Sequence, residues 1–190
     1  MMRTGAQRLA RVLRGLVIAV FLCNLIALFL VPGLVFSEGD LTVTGYSVLQ
    51  GLAVQLRMLA LCWSWTIWLV MWAEHAHLVG AALFLLFCGV CTAVLLWQGK
   101  RVLDTICSGI PFHPENGVRM RRAALCCFLI AAAALGRTCW GLWTLGSIRP
   151  LVTYNTLFCP VFLLAGLLCL VLSALFRQAA ELKSENDLII

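Results

Sequence analysis

Charge is what this chain has little of. Only 12% of its 190 residues are Asp, Glu, Lys or Arg, about half the share of an average soluble domain. That scarcity excludes a water-soluble core. Acid is scarcer still, with eight Asp and Glu in total, none of them inside the four long apolar runs. Proton-coupled carriers need an ionisable acid within a span, so this absence counts against them. Also missing are HExxH, GxSxG, a phosphate-cradling glycine loop and an intramembrane carboxylate pair. Without them no catalytic residue, cofactor site or metal centre is expected, and the chain reads as a non-enzyme. Strands of alternating polarity, the mark of a closed barrel, are absent too.

What is present is hydrophobic, at 63% of residues. A helix needs roughly 20 residues, at about 1.5 Å each, to cross a hydrocarbon layer about 30 Å thick. Residues 15–36, 78–98 and 151–176 meet that length without a charge, and 123–148 meets it carrying Arg137. The expected fold is all-α, an integral membrane helical bundle with four core spans in a single domain over 1–190. Basic residues precede the first run, as in a secretory signal. Its apolar part is too long for an h-region and no good cleavage site follows, so an uncleaved first span is expected. Eight of the ten cysteines lie inside these runs, where a thiol behaves as a small hydrophobe and stays unpaired.

Of the 14 Lys and Arg residues, 11 fall before the first run, in 99–122, or in the tail 177–190. The positive-inside tendency then places both termini and the 99–122 elbow in the cytosol of a cell with a cytoplasmic membrane. The same tendency, with anionic headgroups, accounts for the net charge of +6, so no direct nucleic-acid binding is expected. Residues 41–73 form two apolar halves split by Arg57. A single crossing there would put the elbow opposite the basic N-terminus. Trp63, Trp65, Trp68 and Trp72 suit the headgroup level, and the last three share a helical face. An additional interfacial or re-entrant helix on the outer side is therefore favoured over a fifth span. Tyr46, Trp140, Trp143 and Tyr154 then mark the outer boundary and Trp97 the inner one.

The turn around Ser147, Arg149 and Pro150 is short enough to make the third and fourth core spans antiparallel neighbours. Small residues four apart, Ala132 with Gly136 and Ala165 with Cys169 and Ser173, allow close helix approach in lipid. Assembly into an oligomer is left open.

In the elbow, Leu103, Ile106 and Ile110 extend the second core span as an amphipathic helix. Gly109 can end it, Pro111 forbids continuation, and Asn116 is a cap for the helix that follows through Arg119, Arg121 and Arg122. Gly109, Phe112 and Asn116 reproduce a G-x-x-F-x-x-x-N elbow. Phe176 leaves the last run, followed by an acidic tail containing Asp187-Leu188. On these two motifs the chain resembles the bacterial multi-pass membrane proteins catalogued as domain of unknown function 2975, over the first span and from about Leu78 onward. Residues 41–73 depart from that family's compact pattern. The resemblance implies a four-span protein without assigned activity, encoded near a small helix-turn-helix regulator, and so a membrane partner of that regulator. Gly109, Phe112, Asn116, Arg119, Arg121 and Arg122 are the candidate interaction residues.

Three intramembrane polar residues remain: Asn24, Arg57 and Arg137. Arg137 stands about 22 Å along a helix from Arg122, where an arginine costs roughly 2.5–3.5 kcal/mol before it finds water or a partner. It either snorkels outward or pairs with Glu38, Asp40 or Glu74. Together with Arg57 it could serve an anionic ligand, which keeps a small permease, channel subunit or peptide-resistance protein as the alternative function. Glu74, His75 and His77 lack fixed further ligands, and a solvated turn is expected there rather than a metal site. Cys88 and Cys91 have CxxC spacing without a second pair, and a redox or zinc role is not expected of them.

Overall fold

A computed structural model of the chain describes residues 5–36, 56, 60, 63–74, 76–146 and 154–187. Among them are helices α1 (Gly5–Phe36), α2 (Trp65–Glu74), α3 (Ala76–Cys107), α4 (Pro114–Leu145) and α5 (Tyr154–Asp187), and no strand. The fold is all-α, as the composition requires. Four of these helices, α1, α3, α4 and α5, are long and apolar enough to cross a membrane. Each exceeds 30 residues, or about 45 Å at 1.5 Å per residue.

Local sequence explains where the helices stop. α3 ends in a Schellman motif: Gly109 takes φ +80°, its N–H donates to the Ile106 carbonyl at 3.1 Å, and Ile110 N–H donates to Thr105 at 3.0 Å. Glycine alone adopts that left-handed turn without Cβ strain. α4 starts at Pro114, whose fixed φ suits a first helical position. His113 caps it from extended geometry, its Nδ1 accepting from the Glu115 N–H at 3.3 Å. Asn116 is therefore not the cap that the sequence suggests. The helix begins two residues earlier because the His-Pro pair supplies both cap and start. α5 continues through Pro160, which has no N–H to offer the preceding turn.

Contacts divide the chain into two compact units, residues 1–24 with 90–190, and residues 25–89. In the second unit, Trp63 stacks on Phe29 at 6.0 Å between ring centroids, and its indole N–H donates to the Phe29 carbonyl at 3.2 Å. Gly89 lies against Leu28, so closely that a Cβ there would sit 2.6 Å from Leu28 Cδ2.

In the first unit, α4 packs antiparallel against α5. Gly117 meets Ser173 and Arg177, and Gly166 meets Phe128, so rising numbers on one helix face falling numbers on the other. The neighbour relation expected from the short turn is present. α4 buries mostly small side chains, among them Ala124, Cys127, Ala131, Ala134 and Thr138. Of the two small-residue stripes, Ala165, Cys169 and Ser173 turn inward. Ala132 and Gly136 do not follow. Both are exposed, and the space beside Gly136 is open, because the buried stripe of α4 passes through Ala131 and Ala134 instead.

The outward faces are apolar. On α5, Leu157, Val161, Leu164, Leu168, Val171 and Leu175 recur at alternating steps of four and three, each between 54% and 65% exposed. Water would penalise so long a hydrophobic stripe, whereas acyl chains are its natural neighbours. The protein is membrane-embedded. The cysteines of the described residues, from Cys23 to Cys169, are free thiols.

Candidate functional site

The 99–122 elbow is where polar chemistry concentrates. Asn116 is fully buried and sits at the centre of the turn. Its Nδ2 donates to Thr105 Oγ1 at 2.8 Å and to the Pro111 carbonyl at 2.9 Å. Its Oδ1 accepts from Arg119 Nη1 at 3.3 Å. The Thr105 hydroxyl in turn donates a hydrogen bond to the Val102 carbonyl at 2.7 Å, so the side-chain network runs from α3 through the turn into α4. Only a carboxamide offers two donors and an acceptor at that position.

Arg119 adds the outer layer. Besides Asn116 it donates to the Arg101 carbonyl at 3.2 Å and pairs with Glu115 one turn away. Lys100 Nζ meets Asp104 Oδ2 at 3.0 Å, and Arg14 Nε stands 2.9 Å from Oδ1. The second contact is an ion pair by charge and distance, since no donor is aligned on Oδ1. It nonetheless ties α1 to α3, as do Phe21 and Trp97, whose rings lie 5.8 Å apart. Trp97 also carries Lys100 and Arg101 over its face at 5.1 and 5.7 Å, the posture of long cations above an amphipathic indole.

The candidate residues thus part company. Gly109, Asn116 and Arg119 build the turn. Phe112, at 47% exposed, projects from it beside Ile110 at 49%. Arg121 and Arg122 are exposed two and three residues beyond Arg119 on α4. Thr105 belongs to the Asn116 network, and Asp104 and Arg14 form an ion pair next to it in sequence, none of them with a motif to announce it. Asp104 alone had a visible signal, as the one acid of the elbow's α3 side among its cations.

Among the intramembrane candidates, Asn24 is half-buried on α1 and Arg137 half-buried on α4, and both are engaged by other groups. Thr138, beside Arg137, is buried and donates to the Ala134 carbonyl at 2.9 Å. Arg57, Glu38, Asp40, His75, Arg149 and Pro150 lie outside the described residues, as do the side chains of Glu74 and His77. No group of three His, Cys, Asp or Glu that could hold a metal comes together among the described residues. The elbow's hydrogen bonds are spent on backbone carbonyls and on one another. Its chemistry is that of a rigid frame.

No curated protein and no solved structure matches the chain. Residues 63–190 match the family model described as Protein of unknown function (DUF2975), about two thirds of the sequence. The match begins at Trp63 and so takes in α2, part of the segment that the sequence set aside as departing from the family pattern, while α1 lies outside it. On that match the chain belongs to the DUF2975 family.

Proposed function

We propose that this is a non-enzymatic regulatory or interaction protein of the cytoplasmic membrane, with both termini and the elbow in the cytosol. There the elbow and the tail after Phe176 bind a cytosolic protein, of which a small helix-turn-helix regulator is the kind suggested by family analogy. The observation that carries this reading is the turn itself. Asn116 fixes it from within while Ile110 and Phe112 stay half-exposed at its tip, a preorganised apolar projection of the sort that anchors protein contacts. The basic flanks support the orientation, and α5 supplies a helical extension through Asp187 on the same side.

A photoreactive residue at position 112 tests it in intact cells. An adduct with a cytosolic protein, lost when Ile110→Ser and Phe112→Ser are combined, is the expected result. Adducts with lipid alone would overturn the reading.

A further inference from the structure

Most cations of the elbow are already committed: Arg14 and Lys100 to Asp104, Arg119 to Glu115, Arg101 to Trp97. At the α4/α5 seam, Arg121 and Arg122 on α4 and Arg177 on α5 are exposed and form no ion pair among the described residues, as is also true of Arg8 and Arg11 on α1 and Lys183 in the tail. The positions of the first three are set by the seam. Ser173 Oγ donates to the Gly117 carbonyl at 2.7 Å, which pins those two residues face to face. The Arg177 stem lies over Gly117, where a Cβ would come within 2.7 Å of its Cγ.

Arg121 follows Gly117 by four residues, and Arg177 follows Ser173 by four. Four residues rotate a helix about 40° beyond a full turn and advance it about 6 Å. Because the two helices run antiparallel, that rotation carries both arginines to the same flank of the seam, within about two helical turns of each other. Both stand where the apolar runs meet the charged ends, at Ala123 on α4 and Phe176 on α5. Directly membrane-ward on that flank are Leu125 and Leu170, both exposed. Two unpaired guanidinium groups above an apolar wall match one ligand chemistry: a phosphate on an acyl-bearing molecule. Glu181, one turn beyond Arg177 and away from the apolar run, forms no ion pair with it among the described residues.

We infer that Arg121 and Arg177 form a binding site for the phosphate of an anionic phospholipid, with Arg122 at its rim and the acyl chain along Leu125 and Leu170. The site is separate from the Ile110 and Phe112 projection and stands whether or not that projection binds a protein.

The test uses the full-length protein in detergent, titrated with phosphatidylglycerol, phosphatidylcholine or inorganic phosphate, and read by native mass spectrometry and melting temperature. Phosphatidylglycerol is expected to be retained and to raise the melting temperature, with phosphatidylcholine weaker by about tenfold or more. Arg121→Gln with Arg177→Gln should abolish that preference, while Arg8→Gln with Arg11→Gln, at exposed positions of α1, should keep it. The wild-type comparison of the two lipids decides the matter should the double variant fold poorly. Equal retention of both lipids, an unchanged preference in the folded double variant, or an equal effect of inorganic phosphate would each overturn the assignment.

Discussion

Asn116 shows how one side chain can hold an elbow. Asn116→Ala would leave the Pro111 carbonyl and one Arg119 N–H without that partner, and would cost the Thr105 hydroxyl, still donating to Val102, the donor it accepts from. Burying such groups unmet costs about 1–3 kcal/mol, so the variant should melt clearly below wild type in detergent, with faster amide exchange across 108–113. Asn116→Asp should fare no better, because a carboxylate offers acceptors where two donors are needed. Gly109→Ala is a milder lesion of the same turn. At φ +80° an L side chain costs about 1–2 kcal/mol, and exchange at Ile110 should report it first. Asn116 also marks the limit of reading a role from a motif. The spacing from Gly109 singles it out, yet capping falls to His113, because Pro114 moves the helix start. The carboxamide then points back into the turn rather than along the new helix. Nothing in the sequence signals Thr105 as its acceptor, since that contact exists only once the chain has reversed.

For the helices, the governing fact is which face a glycine occupies. Gly166 is packed under Phe128, whose ring atoms would lie 2.7 to 3.0 Å from an added Cβ. Gly166→Ala should therefore push α5 off α4 at a cost of about 1–3 kcal/mol. Gly136 has open space beside it. Gly136→Ala should be neutral or stabilise by up to about 1 kcal/mol through helix propensity. Comparing the two melting temperatures checks the seam directly, and a drop for Gly136→Ala would show that its face is covered. The helices themselves were legible because length and uninterrupted apolarity are one-dimensional properties. The seam was half legible. Small-residue spacing is met both by Ala132 with Gly136 and by Ala165 with Cys169 and Ser173, and only the positions of large neighbours such as Phe128 decide which stripe turns inward.

For the whole molecule, sidedness is the property on which the proposed role depends. An impermeant thiol reagent applied to intact cells should miss single cysteines placed at positions 5 and 113 in a cysteine-free background, and label both after lysis. Reaction of one alone would refute the arrangement of both termini and elbow in one compartment. Ion pairs contribute little to holding that arrangement. Arg14 and Asp104 are each partly exposed, so Asp104→Asn should lower stability by no more than about 1 kcal/mol, an effect that fades with added salt. Family membership was legible because the elbow and tail motifs are short and local, whereas the part of 41–73 that belongs with them was not. α5 carries one more implication. It runs as continuous helix from Tyr154 to Asp187, 34 residues, or about 51 Å of rod in a hydrocarbon layer about 30 Å deep. The surplus continues the same helix past Phe176, so any change in the tilt of α5 would carry Asp187 with it. A thinner or thicker hydrocarbon layer, which helices accommodate by tilting, would therefore displace the acidic tip sideways.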